Sequence, residues 1–254
     1  MIAGIDHLVV AVASLESAAA ELEERLGLAV GAGGRHPALG TENRLAWLGD
    51  SYVELIAIVD PRVAAGSWLG APVLAALERG GGLATWAIAT DAIDADVAEL
   101  RANGADYPEP IDGERIRPDG RIVRWRLAAG PRLGPNQPFL IEHDVAAAEW
   151  TDGERVARAN EAHPIGGPVR LVSLEIPVAG VQAAGLTLLR TANLRFRPSL
   201  AGHGARDASL GRQIVRLTPM GRGGDVAEIG LASPAGDGRA VEAFGCRWTV
   251  RRSA

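Results

Sequence analysis

The feature that most constrains the fold of this chain is a recurring order of elements: a buried strand, a helix and then further strands. In the first copy, runs of β-branched and leucine residues predict strands, and apolar residues at helical spacing that end at a glycine predict a helix. The elements predicted there are a strand at 5–12, a helix at 15–26, a glycine-rich loop at 31–40 and strands at 43–47 and 52–58.

The same order recurs twice along the chain. The second copy has a strand at 83–89, a helix at 93–102 and strands at 120–127 and 138–143. In both copies the helix begins eight residues after a mid-strand position, Leu15 after His7 and Ile93 after Thr85. A third, more diverged copy has a strand at 169–176, a helix at 178–190 and strands at 194–197, 212–218, 226–232 and 244–251.

A βαβββ unit leaves one face of its sheet uncovered, so each copy has to pack against another. We therefore predict an α+β fold with three parts. Residues 1–145 form one domain of two paired βαβββ modules, 1–60 and 80–145; residues 146–168 form a helical connection; and residues 169–254 form a third, diverged module.

The charge composition excludes several functions. The 254 residues carry 26 basic and 31 acidic side chains, a formal net charge of −5, which argues against nucleic-acid binding. All of the basic residues are arginine, so neither the lysine of a Walker A loop nor a Schiff-base lysine is available. No apolar run is long enough to span a membrane.

The chain has one cysteine, Cys246. An intrachain disulfide and a thiolate metal cluster are therefore both excluded, and a reducing compartment is favoured. The apolar N-terminal run has no basic segment before it and is interrupted by Asp6 and His7, so we interpret it as a strand and not as a secretion signal. We expect a cytoplasmic protein.

Two ionisable residues interrupt strands that are otherwise apolar. Strand alternation places His7 on the face of Val9 and Ala11, and Glu54 on the face of Tyr52. His7 alone could be a core histidine bonded to a backbone carbonyl, but a second such residue in the same unit indicates a shared cavity. The pair could bind Zn, Mn, Fe or Ni, or could act as an acid–base pair without a metal, and the sequence leaves both alternatives open.

Further candidate residues lie near this pair in the predicted fold. His36 is in the glycine-rich loop, and Asn43 and Arg44 follow at the start of a strand, where their side chains could bind substrate oxygens. His143 lies at a strand end. The six tryptophans, Trp86 among them, would suit an apolar ligand cavity.

Four segments of the first two copies carry a resemblance to a known family. They are GIDHLVVAV at 4–12, GGRHPALGTENRL at 33–45, YVELI at 52–56 and QPFLIE at 137–142. Together they resemble the glyoxalase-like-domain branch of the vicinal-oxygen-chelate superfamily. The similarity covers residues 1–145, whereas the third copy shares only the order of its elements.

The resemblance implies paired βαβββ modules whose curved mixed sheets enclose a cup-shaped cavity. In that superfamily the cup binds a divalent metal through up to four ligands, at positions that correspond here to His7, Glu54, Thr85 and Glu142. Threonine stands where a second histidine is common, so the resemblance implies His7, Glu54 and Glu142 as metal ligands. A one-residue shift of register would turn His143 inward in place of Glu142.

The function implied is a small-molecule lyase, isomerase or dioxygenase-type enzyme acting on an oxygenated substrate in the cup, with one divalent metal ion or none. The expected catalytic residues are His7, His36 and Glu54, and the expected substrate-binding residues are Asn43, Arg44, Trp86, Glu142 and His143. The alternative is a protein that binds or sequesters a small molecule in the same cup. The expected partner is that small molecule, with no nucleic acid or membrane, and a homodimer is one assembly the sequence allows.

Overall fold

The computed structural model describes residues 1–117, 119–221 and 225–253. The strands of this part of the chain form two mixed sheets, of eight and seven strands, accompanied by α-helices. This is the α+β fold of curved mixed sheets that the sequence predicts. No helix among the described residues is long and apolar enough to cross a membrane.

The first sheet is built from two βαβββ units that meet at its centre. Its elements are β1 (Ile2–Ala11), α1 (Leu15–Leu26), β2 (Gly31–His36), β3 (Thr41–Leu48), β4 (Ser51–Ile58), the connecting helices α2 (Pro61–Ala65) and α3 (Gly70–Leu77), β5 (Gly82–Thr90), α4 (Ile93–Ala102), β6 (Ile111–Ile116), β7 (Ile122–Ala128) and β8 (Phe139–His143). The strand order is β2-β3-β4-β1-β5-β8-β7-β6, so the first strand of each unit lies at the centre, and β1 and β5 pair antiparallel there.

The second sheet follows a connection that contains α5 (Asp152–Ala159). Its elements are β9 (Arg170–Val178), α6 (Val181–Ala192), β10 (Arg197–Pro198), β11 (Arg206–Leu210), β12 (Gln213–Pro219), β13 (Ala227–Ser233), β14 (Arg239–Ala243) and β15 (Cys246–Arg252). The strand order, β10-β11-β12-β9-β13-β15-β14, repeats that of the first sheet without its last strand. The link from β13 to β14 has no helix, so this part of the chain holds one βαβββ unit and a remainder of three strands.

The two sheets bury one face each in a shared hydrophobic core. Leu8 and Val10 of β1 and Leu22 of α1 belong to the same buried cluster as Leu174 of β9 and Trp248 of β15. Each fully buried side chain of this size contributes about 1.5–3 kcal/mol to folding. The core therefore holds the sheets together through the face of β1 opposite His7, and leaves the His7 face free to form a cavity.

Three strands, β6, β11 and β14, lie where the sequence analysis predicts no element, and β2 lies within the segment 31–40 that was predicted as a glycine-rich loop. β6 and β14 are the outer strands of their sheets, and β11 is next to the outer strand. Edge strands are short and carry polar side chains, so they lack the apolar alternation from which a strand is predicted. Their pairing with the longer strands β7, β15 and β12 defines them.

One turn of the second sheet fits tightly against β1. At Gly211, where φ is +58°, an added Cβ would lie 2.1 Å from the backbone oxygen of Ala3. Beside this turn the amide of Gln213 accepts from the backbone N–H of Ile5 at 3.0 Å and donates to the hydroxyl of Ser51 at 2.9 Å. Only glycine at position 211 lets the turn approach the backbone of Ala3 this closely. The close approach brings the amide of Gln213 within hydrogen-bond distance of Ile5 and Ser51.

We expect Gly211→Ala to destabilise the protein by about 1–3 kcal/mol more than Gly104→Ala does, because the added methyl group forces the sheets apart. Gly104 also has a positive φ, +86°, but an added Cβ there would meet open space, so it controls for backbone strain alone. Urea unfolding followed by tryptophan fluorescence measures both variants. Equal losses of unfolding free energy would contradict a tight junction.

Candidate active site

A cavity of about 340 Å³ lies on the free face of the first sheet. Both units contribute to it, with His7 from β1, Tyr52 and Glu54 from β4, and Phe139 and His143 from β8. Its walls are mainly apolar and include Trp47, Trp68, Trp125 and Trp150. A concave apolar site with a few convergent polar groups is typical of small-molecule binding.

An extra residue in β1 shapes the polar part of this cavity. Ile5 pairs with Ile88 of β5 and His7 pairs with the adjacent Ala87, so Asp6 has no partner of its own across the ladder. Such a bulge bends the strand and re-aims its side chains. It places the Asp6 carboxylate, which is only 2% exposed, beside the imidazole of His7.

The Asp6 carboxylate binds two imidazoles. Its Oδ1 lies 2.7 Å from Nδ1 of His7, and its two oxygens lie 3.2 and 3.1 Å from Nε2 of His143. Burial acts to raise the pKa of Asp6, but His143 and His7 together outweigh burial and hold that pKa well below its ordinary range. An ionised carboxylate only accepts hydrogen bonds, so the nitrogens facing it carry protons. Neutral His7 therefore has its free lone pair on Nε2.

Glu54 lies on the Nε2 side of His7. Its Oε2 is 3.7 Å from Nε2, beyond hydrogen-bond distance. Its Oε1 accepts from the amide of Asn43, whose Oδ1 accepts from the backbone N–H of Gly34 at 2.7 Å. Asn43, predicted to bind substrate, is not among the cavity-lining residues and instead orients Glu54. Tyr52 stacks on His7 with ring centroids 4.5 Å apart.

His36 reaches the cavity from the end of β2, with Nδ1 3.1 Å from the hydroxyl of Thr41. Burial lowers the pKa of His36, an effect that Glu54 opposes and Arg115 reinforces. His36 is therefore neutral at neutral pH. Burial, with the nearby carboxylates, raises the pKa of Tyr52 well above its ordinary value, so its hydroxyl stays protonated.

One side of the cavity is closed by the segment that follows β8. The Glu149 carboxylate accepts from Arg115 at 2.8 Å, and both residues line the cavity. Trp150 stacks on His143 with ring centroids 3.5 Å apart, and the guanidinium of Arg158 lies 4.9 Å from the centroid of the Trp150 ring. These contacts fix His143 between a carboxylate on one side and an indole on the other.

Two predicted substrate-binding residues lie on the other face of the sheet. Trp86 is fully buried in the core shared by the sheets, and its indole N–H donates to the backbone oxygen of Pro135 at 2.8 Å. Arg44 donates to the backbone oxygens of Val30 and Gly31. Neither residue lines the cavity, because strand alternation turns residues next to a cavity-facing position away from it.

Glu142 also points away from the cavity. On β8 the residues that line it are Phe139, Ile141 and His143, which alternate along the strand. Glu142 is therefore not placed to bind a metal or a substrate in this cavity, and the alternative register, with His143 inward, describes the structure. Asp6, which sequence reasoning did not select, carried one signal, a second ionisable residue in an apolar strand.

The donor set does not fit the metal site that the resemblance implies. With Glu142 turned outward, His7 and Glu54 are the two implied ligands left in the cavity. Thr85 is fully buried and donates its hydroxyl to the backbone oxygen of Gln137 at 3.2 Å. Among the described residues no group of three His, Cys, Asp or Glu side chains could hold a metal ion. His7, Glu54, His36 and His143 are nevertheless brought together around one cavity.

The lowered pKa of His36 predicts a dependence of stability on pH. Below its ordinary value of 6.5 the unfolded chain binds more protons at this residue than the folded chain does, so the unfolding free energy falls as the pH is lowered through 6.5. We expect His36→Gln to reduce this loss. His163, whose pKa burial also lowers, retains its share in the variant. Urea unfolding at a series of pH values measures both slopes, and an unchanged slope would contradict the burial of His36.

The sequence matches a family model. The model described as glyoxalase-like domain matches residues 5–191, more than half of the chain. It spans the first sheet from residue 5 of β1 onward, the connection, β9 and all but the last residue of α6. No functionally curated protein matches the sequence.

Several solved structures resemble this one. A hypothetical protein from Staphylococcus aureus is 14% identical, with 98% of this chain and 99% of that chain covered and a TM-score of 0.79. A methylmalonyl-CoA epimerase variant from Streptomyces coelicolor, in complex with 2-nitronate-propionyl-CoA, is 19% identical over 58% of this chain and 99% of its own, with a TM-score of 0.44. The epimerase from Mycobacterium tuberculosis is 18% identical over 56% and 87%, with a TM-score of 0.40. The first shows that the two-sheet fold occurs elsewhere.

Proposed function

Because the chain belongs to the glyoxalase-like domain family of the vicinal-oxygen-chelate superfamily, we propose that it is an enzyme that moves a proton on a small carbonyl compound in the cup. The reaction would be of the isomerase or lyase type. One observation carries the proposal: Nε2 of His7 and the Glu54 carboxylate lie 3.7 Å apart in an apolar cavity. A positioned imidazole and carboxylate are the groups that general acid–base catalysis uses most.

In this proposal His7 is the base. Asp6 accepts the Nδ1–H of His7, so the lone pair on Nε2 can take a proton from the carbon beside the substrate carbonyl. Asp6 and Glu54 then stabilise the imidazolium. Return of the proton to another carbon, or to the other face of the same carbon, completes an isomerisation, whereas departure of a leaving group from the next carbon completes an elimination.

The negative charge that develops on the substrate oxygen needs a donor. Tyr52 lines the cavity, and because its pKa is raised, its hydroxyl keeps its proton at all ordinary pH values. A hydroxyl held in an apolar site stabilises a developing oxyanion more strongly than water does. Neutral His36 is a second donor in the same cavity.

The test is exchange of the α-protons of phenylacetone with solvent in D₂O, followed by proton NMR. Proton removal by His7 predicts exchange above the rate in buffer, and Glu54→Gln and His7→Gln should each lower it by about 10²–10⁴-fold. Glu142→Gln is the matched control, because that carboxylate lies outside the cavity, and it should keep the native rate. Loss of exchange in the control alone, or no exchange in the native protein, would contradict the proposal.

A binding protein without chemistry is the second candidate, and the aromatic lining of the cavity favours it as much as it favours an enzyme. The same experiment separates the two. Saturable binding of phenylacetone without exchange would favour the binding protein. Exchange that depends on Glu54 would favour the enzyme.

The proposed proton transfer uses only side chains of this chain, because the described donors do not fit a metal site. The proposed reaction is therefore a proton transfer. A dioxygenase-type reaction requires a redox metal and is not part of this proposal. Dialysis against EDTA is expected to leave the exchange rate unchanged. A loss of exchange that added Zn, Mn, Fe or Ni restores would show that a metal takes part.

The location and the assembly of the protein are separate questions from its chemistry. We propose a cytoplasmic location, which is supported by a single, buried cysteine whose pKa burial raises to about 12. A thiol of this kind is inert and needs no oxidising compartment. Homodimer formation stays a prediction, and light scattering measures it.

A further inference from the structure

The aromatic residues of this chain are distributed unevenly. The chain has six Trp, two Tyr and three Phe residues, only 4% of its length. Four of the tryptophans, one tyrosine and one phenylalanine line the cavity that contains His7 and Glu54. Aromatic side chains normally serve the core. Here the shared core holds the other five, Trp86, Tyr107, Phe196, Phe244 and Trp248, and the concentration of six around one cavity points to the ligand.

The cavity tryptophans also differ in environment from the core tryptophans. Trp86 and Trp248 are fully buried, and each donates its indole N–H to a backbone oxygen. Trp47, Trp68 and Trp125 are only half-buried. In the part of the chain that the structure describes, no protein acceptor is found for their indole N–H groups. The rings of Trp68 and Trp125 are therefore available to a ligand both as faces and as donors, whereas Arg158 lies over the ring of Trp47.

The ring of Trp125 packs against a glycine. Trp125 on β7 is opposite Gly113 on β6, and both line the cavity. An added Cβ at Gly113 would lie 2.3 Å from the indole nitrogen of Trp125, so the ring occupies the space that a side chain at position 113 would take. A ring that covers a cross-strand glycine in this way exposes its opposite face, which is a stacking platform.

Charge at the cavity favours a neutral ligand. The two arginines that line the cavity are each paired with a carboxylate, Arg115 with Glu149 and Arg35 with Glu42, so their positive charge is offset there. At the Trp47 ring an organic cation would have to compete with Arg158, which already lies 4.2 Å from the ring centroid.

Size limits the ligand further. An apolar cavity of about 150 Å³ holds benzene. The 340 Å³ found here therefore takes one such ring and a short polar chain.

We infer that the cup takes a neutral molecule with one aromatic ring, stacked on Trp125, and a short carbonyl-bearing chain that reaches His7 and Glu54. The carbonyl part rests on the proposed function, whereas the ring part rests on the cavity walls alone. The ligand class is thus aryl-substituted carbonyl compounds in preference to aliphatic ones of equal size.

The experiment compares phenylacetone with cyclohexylacetone by isothermal titration calorimetry of the whole protein. The cyclohexyl compound is the more hydrophobic, so partition into an apolar cavity alone would favour it. Stacking predicts instead that phenylacetone binds about three- to tenfold more tightly. Equal affinities, tighter binding of cyclohexylacetone, or no binding of phenylacetone at millimolar concentration would overturn the inference. So would tighter binding of phenyltrimethylammonium, which would mark the cup as a cation site.

Two substitutions locate the platform. Trp125→Leu should make the affinities for phenylacetone and cyclohexylacetone about equal, because the stacking surface is lost. Gly113→Ala should do the same by displacing the ring of Trp125. Gly153→Ala is the matched control, because an added Cβ there meets open space, and it should keep the native preference. An unchanged preference in both Trp125→Leu and Gly113→Ala would contradict a platform at Trp125.

Failure of this inference is distinguishable from failure of the proposed function. Glu54→Gln should lower proton exchange by about 10²–10⁴-fold while keeping the preference for phenylacetone. A preference without exchange in the native protein would contradict the enzyme and leave the aromatic site standing. Proton exchange in the native protein without a preference for phenylacetone would support the enzyme and contradict the aromatic site.

Discussion

A buried carboxylate between two imidazoles, that of Asp6, joins the two halves of the first sheet where they meet. Taking a carboxylate out of water costs several kcal/mol unless hydrogen bonds or opposite charge compensate for it. His7 on β1 and His143 on β8 provide that compensation, and they do so only when the two units pair in this register. The same contact that stabilises the pairing also sets the tautomer of His7 and turns its Nε2 toward Glu54.

The second sheet has the same backbone bulge as the first sheet but lacks ionisable residues at it. It repeats the bulge of β1, since Leu171 pairs with Leu231 and Ser173 with Gly230, which leaves Val172 as the extra residue. Valine and serine thus stand where the first sheet has Asp6 and His7. Charged groups on this sheet bind one another, as Arg216 does with Asp207 at 2.7 Å. The fold therefore supplies the position, and the residues placed at the bulge decide whether a site forms there.

The sequence predicts the fold and half of the site for a physical reason. Period-two alternation is reliable within one strand, so His7 and Glu54 were placed on the correct face. It fails where the register of a strand is not fixed by the sequence, as for Glu142 and His143 on β8. Thr85 and Trp86 are neighbours on one strand and face opposite sides, so they could not both face the cavity. Arg115, Glu149 and Trp150 were missed because they reach the cavity through contacts between distant segments, which no local pattern indicates.

The proposed chemistry depends on one proton position: Asp6 holds the proton of His7 on Nδ1 and leaves Nε2 unprotonated in the cavity. Long-range proton–nitrogen correlation NMR of the ¹⁵N-labelled protein at neutral pH measures this tautomer directly. The account predicts the Nδ1–H form of His7 in the native protein and a mixture shifted toward the Nε2–H form in Asp6→Asn. A native His7 protonated on Nε2, or an unchanged tautomer in the variant, would contradict it.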